Sequence, residues 1–182
     1  TFDPGRDYRP IWSPDGQEIA FVSKRSGQNR LYSKPADGSG VATEILAAEY
    51  INAPTSWSPD GKWIAYDRQH PRTGTDICIL PLDDEKEPWP FLETPFNESQ
   101  AVFSPGGRWL AYRSDESGRR EIYVQSFPDP GGKHQISTDG GSNPIWAPDG
   151  KELFYRNGNN MMAVAVHTEQ GFATGRPVFL FE

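Results

Sequence analysis

A tetrapeptide of the type Ser-Pro-Asp-Gly recurs four times along the chain at nearly constant spacing. The four prolines lie 45, 46 and 43 residues apart, at Pro14, Pro59, Pro105 and Pro148. An aromatic residue precedes each copy (Trp12, Trp57, Phe103, Trp146), and a short apolar run follows it. A period of this length is typical of a repeat protein, in which each copy forms one structural unit that packs on its neighbours.

Each repeat contains several short apolar runs, and the first of them is apolar on both sides, as expected for a strand buried on both faces. These first runs are Glu18–Val22, Trp63–Tyr66, Trp109–Tyr112 and Glu152–Tyr155. Together with the runs that follow and the segment that ends in the aromatic residue, they give four short strands in about 45 residues, the anatomy of one propeller blade. The sequence therefore predicts an all-β fold, a β-propeller built from four repeats as four four-stranded antiparallel blades. The blades lie at approximately 5–50, 51–95, 96–139 and 140–182 of a single domain, 1–182.

The tetrapeptide itself is interpreted as a turn. Proline presets the second position, Asp accepts local hydrogen bonds and Gly supplies the positive φ that leads into the next strand. The third copy carries Gly106 where the others carry Asp15, Asp60 and Asp149. A turn tolerates this change, whereas a ring of catalytic or ligating carboxylates does not. We therefore interpret the three aspartates as turn formers.

Composition excludes some classes of function. The 182 residues carry a net charge of −7 with no basic stripe, which argues against nucleic acid as a partner. No apolar run approaches the length of a membrane span. The single cysteine, Cys78, lies inside an apolar run, where a buried and unreactive thiol is expected.

The repeat resembles that of TolB-type β-propellers over nearly the whole chain, from about residue 9 to residue 182. The resemblance rests on Trp-Ser-Pro-Asp-Gly, two variable residues, Ile-Ala-Phe or Ile-Ala-Tyr, and then turns such as Ser23–Gly27 and Arg113–Gly118. Gly106, Ala147 and the longer turn at His70–Gly74 depart from the pattern. The resemblance implies a bacterial protein in a periplasmic or otherwise extracytoplasmic compartment. Propellers of this kind also occur attached to Ser/Thr kinases or regulators, or in front of a peptidase.

The way in which the ring closes is left open by the sequence. The fourth repeat supplies its own outer strand near Pro177–Phe181, so closure by exchange of a terminal strand is not evident. Four blades that close on themselves, an arc of a larger ring, and a homo-oligomer that completes a larger propeller are all compatible with the pattern. An open arc exposes two apolar blade faces and is expected to associate.

No catalytic motif is found in the sequence. There is no Gly-x-Ser-x-Gly nucleophile elbow and no His-Glu-x-x-His, and the three histidines, His70, His134 and His167, fall in three different repeats. We therefore predict a non-catalytic module that binds a protein or a small polar ligand. The alternatives are a propeller hydrolase, the gating propeller of a peptidase whose catalytic domain lies outside this chain, and a purely structural spacer.

A ligand site is predicted at one mouth of the channel, where the segments entering the first strands meet. The candidate residues share polar or charged side chains and are Arg6, Asp7, Arg9, Asn52, Asn97, Glu98 and Asn143. The competing interpretation is that these groups cap strand ends and bind channel water. No cofactor is predicted, although calcium held by oxygen atoms of Asp7, Asn52, Glu98 or Asn143 is an alternative.

Overall fold

The computed structural model describes residues 5–47, 50–83, 86–169 and 171–182, with the backbone alone at residues 51 and 52. These residues form strands and turns and contain no helix, so none of the described segments is a helix able to cross a membrane. The strands are β1 (Asp7–Trp12), β2 (Glu18–Ser23), β3 (Arg30–Pro35), β4 (Thr43–Leu46), β5 (Ile51–Trp57), β6 (Trp63–His70), β7 (Gly74–Pro81), β8 (Trp89–Leu92), β9 (Glu98–Phe103), β10 (Trp109–Ser114), β11 (Glu121–Ser126), β12 (His134–Gln135), β13 (Ser142–Trp146), β14 (Glu152–Asn157), β15 (Asn160–His167), β16 (Ala173–Thr174) and β17 (Val178–Phe181).

The strands pair into four antiparallel sheets, one for each sequence repeat. Three sheets run β1 to β4, β5 to β8 and β9 to β12 in chain order, and the fourth runs β13 to β16. In the fourth sheet β17 also pairs with β15, alongside Met161 to Ala163, while β16 pairs with the far end of β15 at Val166 and His167. The predicted all-β fold of four antiparallel blades is confirmed.

The Ser-Pro-Asp-Gly segments form tight turns between the first and second strands of each blade. In the first turn, the Ser13 hydroxyl and the Gln17 N–H donate to Asp15 Oδ1 at 2.6 and 3.0 Å, and these bonds lower the pKa of Asp15. Asp60 Oδ1 accepts the same two bonds, and Asp149 Oδ1 accepts the N–H of the residue two positions on. The closing glycines have φ values of 70°, 74°, 69° and 71°. The interpretation of these aspartates as turn formers is confirmed.

Replacing Gly106 by Asp should restore the missing turn carboxylate in the third blade. A Cβ at this position meets no heavy atom within 4 Å, and the backbone there is outside the left-handed region. The new carboxylate can accept a hydrogen bond from the Ser104 hydroxyl, and the change makes the unfolded chain less flexible. We therefore expect the free energy of unfolding to rise by about 0.5–1 kcal/mol. Urea unfolding measures it, with Asp60→Gly as the reciprocal variant, which should lose a similar amount. A loss of stability in Gly106→Asp would contradict this explanation of the turn.

Neighbouring blades pack through alternating side chains of their second strands. In the second blade, Ile64 and Tyr66 are buried against the first blade, and Ala65 is buried against the third. The third blade repeats the pattern, since Leu110 packs on the second blade and Ala111 on the fourth. The second strand of each of these blades thus presents large side chains to the preceding blade and a small side chain to the following blade. This difference in size lets successive twisted sheets approach closely.

Three hydrophobic clusters result, and each joins two consecutive blades. One joins the first and second blades, one the second and third, and one the third and fourth. Among the described residues no cluster contains side chains of both the first and the fourth blade. The four blades are therefore packed in series.

Candidate functional site at the channel

The first strand of each blade lies on the inner side of the propeller. Strands β1, β5, β9 and β13 contact one another in succession, β1 with β5, β5 with β9 and β9 with β13. These four strands therefore form one side of the blade series, the side on which the repeat predicts a channel.

Three of these inner strands carry the same irregularity. In each of β1, β9 and β13, a stretch of three residues pairs with a stretch of only two residues on the second strand of the same blade. The inserted extra residue makes a β-bulge. The extra residue is Arg9, Gln100 or Asn143, and its φ is 55°, 60° or 52°. The second blade has Pro54 at the equivalent position, where the proline ring fixes a negative φ. A polar residue with positive φ at equivalent points of three blades is a strained and repeated feature, and such features cluster at binding sites.

The bulges of the third and fourth blades are joined directly. Gln100 Nε2 donates to Asn143 Oδ1 at 2.8 Å, and the Asn143 backbone N–H donates to Gln100 Oε1 at 2.9 Å. These two hydrogen bonds hold the Gln100 and Asn143 side chains in place on the inner strands. Asn143 remains exposed while bound in this way, so its remaining hydrogen-bonding groups face solvent.

A buried carboxylate supports the bulge of the third blade from behind. The Gln100 backbone N–H donates to Asp67 Oδ1 at 3.1 Å. Burial raises the pKa of Asp67 to about 7, although the Gln100 bond and the charges of Arg113 and Arg9 oppose that shift. Arg113 in turn donates from Nη2 to Ser99 Oγ at 2.9 Å. Asp67 thus fixes the Gln100 backbone, and the charges of Arg113 and Arg9 act on the same carboxylate.

Two of the predicted site residues, Arg9 and Asn143, lie on these bulges. Three others have structural partners near the mouth. Asp7 forms an ion pair with Arg25 at 3.3 Å, and the Arg6 guanidinium lies 5.4 Å from the centre of the Tyr8 ring. Asn97 binds Asp115 through its backbone N–H and Nδ2, and its Oδ1 accepts the Thr75 N–H of the preceding blade. Asn97 thereby ties the loops of the second and third blades together.

Glu98 points away from solvent and is 1% exposed. Thr94 Oγ1 donates to its Oε1 at 2.5 Å, whereas its Oε2 has no hydrogen-bond partner among the described residues. Burial, followed by the negative charges of Asp76, Glu116 and Asp115, raises the pKa of Glu98 to about 7. The side chain of Asn52 lies outside the described residues.

The histidines occupy separate blades, as predicted. His70 Nδ1 lies 3.0 Å from the Thr73 hydroxyl, and the His134 ring packs on Phe172. The described ranges contain no group of three or more His, Cys, Asp or Glu side chains arranged to hold a metal ion. Calcium in the channel therefore stays a prediction. Cys78 is buried, and burial raises the pKa of its thiol to about 11.

Sequence reasoning missed Gln100, Asp67 and Arg113. Counting back four residues from the Ser or Ala of each turn motif reaches Arg9, Pro54, Gln100 and Asn143, so this alignment column was available as a signal. Asp67 and Arg113 share another column, with Val22 and Arg156, in which the residue type changes from blade to blade. No pattern in that column marks a site.

The four antiparallel sheets and their repeated inner strands define the fold as a β-propeller. No protein-family model matches the chain. The chain is 30% identical to the Tol-Pal system protein TolB of Francisella tularensis over 157 residues, 81% of this chain and 34% of that protein. The crystal structure of TolB from Acinetobacter baumannii superposes with a TM-score of 0.75 at 21% identity, covering 98% of this chain and 45% of that one. The chain is a β-propeller of the TolB type.

A propeller from a peptidase is also similar in fold. A puromycin-hydrolyzing peptidase of Mycobacterium tuberculosis superposes with a TM-score of 0.67 at 17% identity, covering 91% of this chain and 30% of that one. The chain spans between a third and about half of the length of the curated relatives that it matches first. Similarity to TolB favours a binding or scaffolding module.

Proposed function

We propose that this propeller is a non-catalytic binding module that recognises a polar segment of a protein, or a small polar ligand, at its channel. The observation that carries the proposal is the set of strained bulges at Arg9, Gln100 and Asn143, because positive φ at three non-glycine positions costs folding free energy and repeats from blade to blade. By resemblance to TolB we place the protein in a bacterial envelope or sensing system, outside the cytoplasm.

The chemistry of the bulges favours a ligand that carries carboxylate or amide groups. Arg9 is exposed and presents a guanidinium group, which binds carboxylates in a bidentate manner. Gln100 and Asn143 are held in place by each other, so little side-chain entropy is lost when a ligand binds them. An extended peptide supplies both kinds of group from its backbone and its C-terminus.

A thermal-shift screen of short peptides with free and amidated C-termini tests the proposal. A peptide at a hundred times its dissociation constant stabilises the fold by about 2.7 kcal/mol, a rise in Tm of roughly 5–10 °C for a chain of this size. We expect Gln100→Ala and Asn143→Ala each to weaken binding about tenfold or more, since each removes a bond of about 1.4 kcal/mol. Gln28→Ala, an exposed glutamine in the turn after β2, serves as the control. Equal binding of the peptide by all three variants would show that the bulge residues do not contact it.

The second candidate is the gating propeller of a peptidase or a propeller hydrolase, and the peptidase superposition is what favours it. A panel of esters, lactones and glycosides separates it from the first proposal. A binding module turns over none of them. Turnover that disappears in Glu98→Gln or Asp7→Asn while the fold is retained would replace the binding proposal with a hydrolase.

A further inference from the structure

Arg113 lies near the end of β10 and is a partly buried cation without a counterion among the described residues. Its Nη2 donates to Ser99 Oγ at 2.9 Å, but no carboxylate in the described part of the chain forms an ion pair with it. Its Nε and Nη1 likewise have no hydrogen-bond partner among those residues. Taking a guanidinium out of water without a compensating anion costs folding free energy. The contacts of Arg113 inside the chain do not offset that cost.

The pKa of Arg113 shows the same imbalance of charge. Burial lowers it, and the positive charge of Arg120 lowers it further, whereas the negative charges of Asp67 and Asp115 raise it. The net shift is downward, so the two acids compensate only in part. An anion brought to such a group gains more than it does at a fully solvated arginine, because the surroundings screen the attraction less.

The guanidinium of Arg113 is nevertheless open to solvent. Among the described residues, the buried side-chain nitrogens that lack a partner belong to Arg68 and Trp109. The Nε and Nη1 of Arg113 are therefore accessible, and an anion can reach them without a rearrangement of the fold. Strand β10 also contacts β13 of the next blade, which carries the exposed residue Asn143. Arg113 thus lies at the same blade interface as one of the bulges.

The position of Arg113 can be compared with its equivalents in the first two blades, where the second strand also contacts the first strand of the next blade. In the second blade the equivalent is Asp67, which accepts the backbone N–H of the bulge residue Gln100. In the first blade it is Val22, and the next blade carries Pro54, which has no N–H to donate. Each of these residues therefore matches the backbone that follows it.

In the third blade this match is missing. The bulge residue that follows Arg113 is Asn143, and its backbone N–H already donates to Gln100 Oε1 at 2.9 Å. Asn143 Oδ1 accepts a bond from Gln100 Nε2, which leaves the Nδ2 group as a donor without a partner among the described residues. Arg113 and Asn143 together present unpaired donors, and the acceptor that would pair with them has to come from outside the described residues.

We propose that Arg113 is the anion-binding residue of the site at the bulges and that it binds a carboxylate group of the ligand. This assignment rests on the proposed binding function, since it names the ligand group that the same site recognises. A planar guanidinium binds a carboxylate through two parallel N–H···O bonds. The C-terminus of a protein segment supplies such a carboxylate together with backbone amides, which the Gln100 and Asn143 side chains can bind.

A titration with N-acetylglycine, followed by NMR through the Nε–H signal of Arg113, tests this assignment without a partner protein. N-acetylglycine carries one carboxylate and one amide, and N-acetylglycinamide is its uncharged counterpart. We expect a saturable shift of the Arg113 signal with the acid and none with the amide. In the variants, binding is followed through the backbone amide of Asn143. Arg113→Gln should weaken binding of the acid about tenfold or more, and Arg113→Lys should lie between the two, because it keeps the charge but cannot form the paired bonds.

Two further variants separate this role from a general effect of charge. Arg108→Gln is the matched control, because Arg108 is exposed in the turn before β10 and its replacement removes the same charge. It should bind the acid like the parent. Asp67→Asn keeps an oxygen that can accept the Gln100 N–H but removes a negative charge that competes for Arg113. At pH 8 it should bind the acid about threefold more tightly, whereas a purely structural role of Asp67 gives no such gain.

The possible results separate this assignment from the proposed function. Equal binding of the acid by the parent and Arg113→Gln overturns the assignment, and so does an Arg113 signal that does not move. Binding of inorganic phosphate without binding of N-acetylglycine also overturns it, since the anion is then a phosphoryl group. Peptide binding that depends on Gln100 and Asn143 but not on Arg113 would retain the binding module and remove Arg113 from the site. Carboxylate binding at Arg113 in a chain that binds no peptide would retain the anion site and overturn peptide recognition.

Discussion

Replacing Trp146 by Ala is expected to lower the free energy of unfolding by about 3–5 kcal/mol, while the same change at Trp12 costs less than about 1 kcal/mol in the monomer. The two residues hold the same place in their repeats. Trp146 is buried against the third blade and bonded to the Val102 carbonyl, so its removal leaves a cavity and an unpaired acceptor. Trp12 packs in none of the described hydrophobic clusters and is 58% exposed.

The measurement is urea unfolding followed by circular dichroism, in dilute protein so that association does not contribute. Equal losses for Trp146→Ala and Trp12→Ala would mean that the first blade has a packed neighbour, and the serial arrangement of the four blades would be wrong. The slope of the transition is a further check, because separate unfolding of one end blade would lower it.

The turn motif made the fold predictable from sequence. Pro, Asp and Gly each act on the backbone within four residues, so their effect does not depend on the remainder of the protein. Local hydrogen bonds such as that from the Ser13 hydroxyl to Asp15 can therefore be predicted from the sequence. The apolar runs were similarly local. Their regular spacing then placed the strands in four sheets.

The site was less predictable because it depends on contacts between blades. Arg9 and Asn143 were predicted as site residues from their position at the strand entrance, but Asp67 binds a residue 33 positions away, across a blade boundary. The positive φ at Gln100 could not be predicted from the sequence either, because glutamine ordinarily avoids the left-handed region and adopts it here at a β-bulge. Glu98 was predicted to face the channel and is instead buried between the second and third blades.

That burial makes the stability of the protein dependent on pH. The pKa of Glu98 is raised from 4.5 to about 7 in the folded chain. Below pH 4.5 the side chain is protonated in both the folded and the unfolded states. As the pH rises the unfolded chain loses this proton first, so the Glu98 contribution to folding falls between about pH 4.5 and pH 7. The loss is on the order of 3 kcal/mol, since each unit of pKa corresponds to about 1.4 kcal/mol.

Glu98→Gln should therefore be more stable than the parent at pH 8 and similar to it near pH 4.5. The amide keeps an acceptor for the Thr94 hydroxyl but carries no charge to bury beside Asp76. Asp67, whose pKa is raised in the same direction, continues to supply part of the pH dependence in this variant. Urea midpoints at the two pH values give the comparison, with the exposed Glu152→Gln as the control. A Glu98→Gln variant that parallels the parent at both pH values would show that Glu98 ionises freely in the folded chain.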